Sequence, residues 1–177
     1  MTTSATTGTA LYSEAERERR DRSRWTLVQG ILAPLQFLAF AVSLVLVLRY
    51  LYDGHGLQAA TASVLIKTGF LYAIMVTGSL WERDVFGKYL FARPFFWEDV
   101  VSMLVIALHT AYVAALLGHF LGNRALMLLA LTAYGAYVIN AAQFLIKFRA
   151  ARRQSQPRAA ALPAKALAPV RMAGAVE

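Results

Sequence analysis

Four apolar blocks, at roughly 25–51, 60–81, 97–121 and 125–146, constrain this chain more than any other feature of its sequence. Each is close to the ~20 residues that carry a helix across a bilayer. Lipid offers a backbone amide no partner, so a segment in that setting must be helical or belong to a closed barrel. The chain is 58% hydrophobic and 16% charged, whereas a soluble domain is about half apolar and about a quarter charged. The expected fold is therefore all-α, an integral membrane four-helix bundle over residues 25–149. A mobile, Arg-rich arm is expected at 1–24 and a disordered Ala/Pro/Arg-rich tail at 150–177, which leaves no room for a second domain.

The net charge of +8 would point to nucleic acid in a soluble protein. Here it is concentrated at the two ends, beside the apolar blocks, where lipid headgroups and the positive-inside rule account for it. No nucleic-acid partner is expected. The arm holds Arg17, Arg19, Arg20, Arg22 and Arg24 just before the interfacial Trp25, and seven Lys/Arg follow the last block. The longest internal loop, 82–96, holds Arg83, Lys88 and Arg93, whereas the two opposite turns have only Arg49 and Arg124. Both termini and the amphipathic 82–96 loop are thus expected on the cytoplasmic side, the loop lying on the membrane surface. The polar first ten residues do not read as a signal peptide. The absence of cysteine excludes disulfides, thiolate nucleophiles and cysteine-held iron–sulfur clusters.

Local patterns fill in the helices. Ser13 and Glu16 form a capping-box pattern ahead of a short charged helix. Gln29, Gln36 and Ser43 are spaced by sevens and so share one face of the first span, expected to turn toward other helices. Pro34 is expected to bend that span. Gly54 and Gly56 mark a turn, Arg93-Pro94 a helix stop, and Gly118 with Gly122 a GxxxG that would permit close helix contact.

Polar chemistry is written into the spans. Lys67 stands about eight residues inside the second block, near the stripe of Thr68, Leu71, Met75, Ser79 and Glu82. In the third block Glu98, Ser102, Val105, His109 and Tyr112 fall on one side at helical spacing. Ionisable groups inside a membrane are costly and point to function by default. Glu98 and Asp99 have an alternative explanation, since acids favour the first turn of a helix. Burial favours the protonated form of a carboxyl group, which would let Glu98 serve as a general acid. His109 reads as a hydrogen-bonded core histidine, a proton carrier, or an axial ligand to a metal or macrocycle. Lys67 would snorkel, pair with an acid or meet an anionic ligand. Trp81, Trp97 and most tyrosines read as interface anchors, with Tyr112, Tyr134 and Tyr137 deeper. His55 and His119 fall at turns. No dinucleotide, P-loop, G-x-S-x-G or H-E-x-x-H pattern is present, nor paired histidines to hold a haem. A permanent redox cofactor is not expected.

Longer strings carry a resemblance. Arg24-Trp25-Thr26-Leu27-Val28-Gln29-Gly30-Ile31-Leu32-Ala33-Pro34 is one, and Tyr72-Ala73-Ile74-Met75-Val76-Thr77-Gly78-Ser79 followed by Trp81-Glu82 is another. Phe95-Phe96-Trp97-Glu98-Asp99-Val100 and Ala107-Leu108-His109-Thr110-Ala111-Tyr112 complete the set. Together they resemble the 2-vinyl bacteriochlorophyllide hydratase family over about residues 12–150. The resemblance implies a hydratase that adds water across the C3 vinyl group of chlorophyllide a or a related bacteriochlorophyllide, in bacteriochlorophyll biosynthesis. It implies no added cofactor, because the magnesium belongs to the substrate. It implies a bacterial inner or chromatophore membrane, with membrane lipid and other bacteriochlorophyll-biosynthesis enzymes as neighbours.

Read against that chemistry, Glu98 is expected to donate the proton and Asp99 or Glu82 to accept one from water. His109 would ligate the substrate magnesium or lie in the proton path. Lys67 would meet the propionate, and Tyr112, Trp97 and Ser102 would line the substrate site. Two other readings are kept. One is a non-catalytic pigment-binding or photosystem assembly protein with His109 as pigment ligand. The other is a small transporter with Lys67 and Glu82 as a coupling pair, although no internal repeat supports it.

Overall fold

The computed structural model describes residues 11–160, the last ten as backbone alone. The described residues are helical, without strands, in the order α1 (Glu14–Arg22), α2 (Arg24–Asp53), α3 (Leu57–Phe86), α4 (Phe96–Leu117) and α5 (Asn123–Ala160), with a 3₁₀ turn at Arg93–Phe95 leading into α4. Four helical stretches, Arg24–Asp53, Leu57–Phe86, Arg93–Leu117 and Asn123–Ala150, are long and apolar enough to cross a membrane.

α2 and α3 form one close antiparallel hairpin and α4 and α5 another, and the two hairpins meet more loosely through α2–α5 and α3–α4. Lipid is as apolar as the side chains, so helices associate through packing and interhelical hydrogen bonds. Both are present. Val47, Ala60, Val64, Val105, Tyr112, Met127, Ala130 and Tyr134 form the dry centre. A ladder of polar bridges fixes the register of α2 on α3: Ser43 to Ser63 at 2.8 Å, Gln29 to Thr77 at 2.7 Å, Trp81 to Thr26 at 3.0 Å and Ser23 to Asp84 at 2.8 Å. The face expected from Gln29, Gln36 and Ser43 does turn inward, with Gln36 and Ser43 buried. α2 runs through Pro34 as one continuous helix.

Between the hairpin arms the chain reverses at Gly54 and Gly56, with φ of 76° and 83°, a left-handed region that costs glycine nothing. Four boundaries differ from expectation. α3 does not stop at residue 81 but continues to Phe86, where Gly87 in the left-handed conformation ends it. No breaker stands between Trp81 and Gly87, so Glu82 and Arg83 belong to the helix and only 87–92 remains a loop before the 3₁₀ turn. α4 ends at Leu117 rather than 121, so Gly118 caps it and Gly122 lies in the following turn. The expected GxxxG contact does not form. A side chain at Gly118 would meet Phe120 of its own turn, and none would touch anything at Gly122.

The third difference concerns the arm. The capping box at Ser13 and Glu16 is present, but from Leu11 onward the segment expected to be mobile is docked. Tyr12 is buried with Val85 and Phe95 and stacks on Phe86. Arg19 donates to the Val85 carbonyl at 2.8 Å. The reason is the extra turn of α3, which presents an aromatic patch that only tertiary contact could reveal. Burial pushes the Tyr12 phenol up to about 12. At the other end α5 extends past the expected end of the fourth span to Ala160, so the expected tail begins inside it. Residues 1–10 and 161–177, which hold the rest of the arm and tail, lie outside the described residues.

Candidate functional site

The polar stripe expected on α4 faces the bundle. Glu98, Asp99, Val105, His109 and Tyr112 are all buried. They do not share one pocket, however. Eleven residues of helix separate Glu98 from His109, about 16 Å at 1.5 Å per residue. The ionisable groups fall into two layers, and both bridge α3 to α4.

The deeper layer is built on Lys67 of α3 and His109 of α4, both with no exposed surface. Lys67 Nζ lies 2.6 Å from His109 Nε2. His109 Nδ1 lies 2.8 Å from the Val105 carbonyl oxygen one turn back. A carbonyl can only accept, so Nδ1 carries the proton and Nε2 offers its lone pair to Lys67. α5 supplies the walls. The Lys67 ammonium sits 4.3 Å from the ring centre of Tyr137 and 5.2 Å from that of Tyr134. Tyr134 is held in turn by Ser43 at 2.5 Å. Among the described residues Lys67 has no acidic partner. Its surroundings are an imidazole lone pair and two aromatic faces, both of which attract a cation.

The second layer closes the end of the bundle where α3 stops and α4 begins. Glu82 and Asp99 are buried, and their carboxyl groups lie close enough to interact across the α3–α4 contact. Two carboxyl groups so placed can share a proton, the protonated one donating to the other. Each also pins the 87–92 loop: Asp99 accepts from the Phe91 amide at 2.7 Å and Glu82 from the Ala92 amide at 3.2 Å. Phe91 is thereby kept at φ 58°, an uncommon conformation for a bulky residue. Glu98 turns toward α5, where its Oε2 lies 2.5 Å from Lys147 Nζ. Asn140 of α5 donates to the Glu98 carbonyl at 2.9 Å and to Ser102 Oγ at 3.0 Å.

The remaining expected residues divide. Ser102 belongs to the second layer through Asn140. Tyr112 packs in the dry centre just beyond His109. Trp97 joins neither layer: it is 69% exposed and faces outward, while its neighbour Phe95 is the buried aromatic. The coupling pair considered for a transporter does not form, because Lys67 meets His109 and Glu82 meets Asp99. Fifteen residues of α3, about 22 Å, lie between them. Asn140 and Lys147 are the functional candidates that sequence pattern alone does not mark, since a lysine at the end of a span reads as one more positive-inside charge. Their spacing of seven, which places both on one face of α5, was the available signal. Among the described residues no group of three His, Cys, Asp or Glu side chains is arranged to hold a metal ion.

Comparison with known proteins gives this architecture a context. No solved structure matches the chain. Two curated relatives do, each named 2-vinyl bacteriochlorophyllide hydratase. The one from Rhodobacter capsulatus is 64% identical over 148 residues, covering 82% of this chain and 85% of the relative. The one from Cereibacter sphaeroides is 65% identical over 144 residues, covering 80% and 88%. The family model described as 2-vinyl bacteriochlorophyllide hydratase (BCHF) matches residues 12–150, a range that contains every side chain of both layers. The chain belongs to the 2-vinyl bacteriochlorophyllide hydratase family.

Proposed function

We propose that this membrane protein is a hydratase of bacteriochlorophyll synthesis. It adds water across the C3 vinyl group of chlorophyllide a or a related bacteriochlorophyllide and gives the 3-(1-hydroxyethyl) pigment. The observation that carries this reading is the family match across residues 12–150, the span that holds the buried ionisable groups seen among the described residues.

The reaction has two needs. A proton must reach the terminal vinyl carbon, leaving positive charge on the inner carbon that the macrocycle delocalises. Water must then bond to that inner carbon and give up a proton to a base. We assign the proton to the Glu82–Asp99 pair, two adjacent carboxyl groups that can share one, and the base to Glu98. This assignment exchanges the roles expected from the sequence. Glu98 is ion-paired with Lys147, an arrangement in which it accepts rather than donates. The two steps leave the enzyme's protons balanced once Glu98 returns its proton to the acid pair, directly or through water.

The pigment is proposed to lie in the α3–α4 seam between the two layers, vinyl group toward the acids. Lys67 then meets the propionate. His109 Nε2 is engaged by Lys67, so of the roles considered for it a proton-carrying and positioning one fits better than magnesium ligation. The magnesium arrives with the substrate, and no added cofactor enters the scheme. Lys/Arg counts favour both termini inside, in a bacterial inner or chromatophore membrane, where other enzymes of the pathway would be neighbours.

The test is direct. Membranes bearing the protein are incubated in the dark with chlorophyllide a and the pigment is extracted. A gain of one water in mass with a blue-shifted red absorption band supports the reading. Bound pigment of unchanged mass would instead favour the assembly-protein reading.

A further inference from the structure

We propose that Lys147 is a positioning residue for the hydration. Its ammonium pairs with the Glu98 carboxylate and fixes it in place where α4 begins, against α5. The inference rests on the assignment of Glu98 as base and extends it to a residue on another helix.

A lysine that merely marks the cytoplasmic end of a span extends to water and headgroups. Arg149, two residues on, is exposed in that way. Lys147 does the opposite. Only 24% of its side chain is exposed, and its ammonium turns into the bundle, where it has three partners. It meets Glu98 Oε2 at 2.5 Å, donates to the Pro94 carbonyl oxygen, and sits 5.0 Å from the centre of the Phe95 ring. Pro94 and Phe95 belong to the 3₁₀ turn that launches α4. One side chain therefore ties the start of α4 to α5 and occupies a single carboxylate oxygen of Glu98, leaving the other free to take a proton from water. Asn140, two turns earlier on the same face of α5, holds the Glu98 backbone carbonyl and Ser102. Glu98 is thus gripped at main chain and side chain by one helix. Such a grip is what a base needs if it is to stay fixed while charge develops on the substrate.

Three variants of the full chain separate charge from packing. Lys147→Arg keeps the cation, Lys147→Gln keeps a donor for the Pro94 carbonyl without charge, and Lys147→Met keeps only length. Each is assayed for kcat, for pigment affinity by absorbance titration, and for thermal unfolding. The expected order of kcat places Lys147→Arg within about tenfold of the parent, and Lys147→Gln and Lys147→Met lower by about 100-fold, as for a misplaced catalytic group. Pigment affinity should stay within about threefold throughout. Glu98→Gln should cost about 100-fold or more in kcat, and adding Lys147→Gln to it should cost no more.

Parental kcat in Lys147→Gln, with Glu98→Gln inactive, overturns the role of Lys147 and leaves Glu98 standing. Full activity of Glu98→Gln removes the underlying reading itself. Equal loss of kcat and affinity in all three variants, tracking loss of folded protein, would make Lys147 a structural tie only and likewise overturn the proposal.

Discussion

Replacing Lys67 with methionine keeps the length of the side chain and removes its charge. The effects on stability and on function can be worked separately. A lysine near the centre of a membrane helix costs about 2.5–3.5 kcal/mol on insertion scales, and methionine relieves that. Against it stand two losses. His109 Nε2 is left without its donor, at about 1–3 kcal/mol for a buried unpaired acceptor. The ammonium's contact with the Tyr137 ring at 4.3 Å also goes, worth about 0.5–2 kcal/mol. The opposing contributions are of similar size, so Lys67→Met should unfold within about 2 kcal/mol of the parent. Binding should behave differently. A buried cation facing a substrate carboxylate contributes about 2–5 kcal/mol when its partner is truncated, which is about 30-fold or more in affinity. The assay titrates chlorophyllide and its propionate methyl ester into detergent-solubilised protein and follows the red absorption band. The parent should prefer the free acid by about 30-fold or more, and Lys67→Met should bind both equally weakly. If the parent binds acid and ester alike, or if Lys67→Met loses stability heavily while keeping the preference, the anion role of Lys67 is wrong.

Asp99→Asn keeps a hydrogen-bonding partner for Glu82 and an acceptor for the Phe91 amide but cannot share a proton as a carboxyl does. It should fold normally and lose about 100-fold or more in kcat, while Asp99→Ala should in addition expose the 87–92 loop to protease. Near-parental turnover of Asp99→Asn would remove the acid pair from the mechanism. Docking of α1 should depend on pH through Tyr12, whose phenol burial pushes up to about 12 in the folded chain from its ordinary 10.0. Above pH 10 the undocked tyrosine ionises while the docked one stays neutral, so the undocked state binds fewer protons and docking weakens. The loss should run from pH 10 to about 12, amount to at most about 3 kcal/mol, and disappear in Tyr12→Phe, as followed by proteolysis of the arm.

The hydrophobic blocks determined four helices, because lipid leaves backbone amides no other way to be satisfied and length then fixes their number. Periodicity determined which side chains of α4 share a face, because rotation per residue is a local property. That is why Glu98, His109 and Tyr112 were legible as inward residues. Family strings spread from Arg24 to Tyr112 carried the activity, which no periodicity could express. Partnership was a different matter. Only the packed bundle decided that Lys67 meets His109, that Glu82 faces Asp99, and that Lys147 turns inward to Glu98. Each of these pairs joins different helices across 42, 17 and 49 positions of sequence, a relation that depends on the rotation and depth of two rods at once. The same reason explains Trp97, whose place beside the acids in sequence is undone by a 100° step around α4. It explains the docked arm as well, since the aromatic patch that receives Tyr12 exists only once α3, the 3₁₀ turn and α5 have come together.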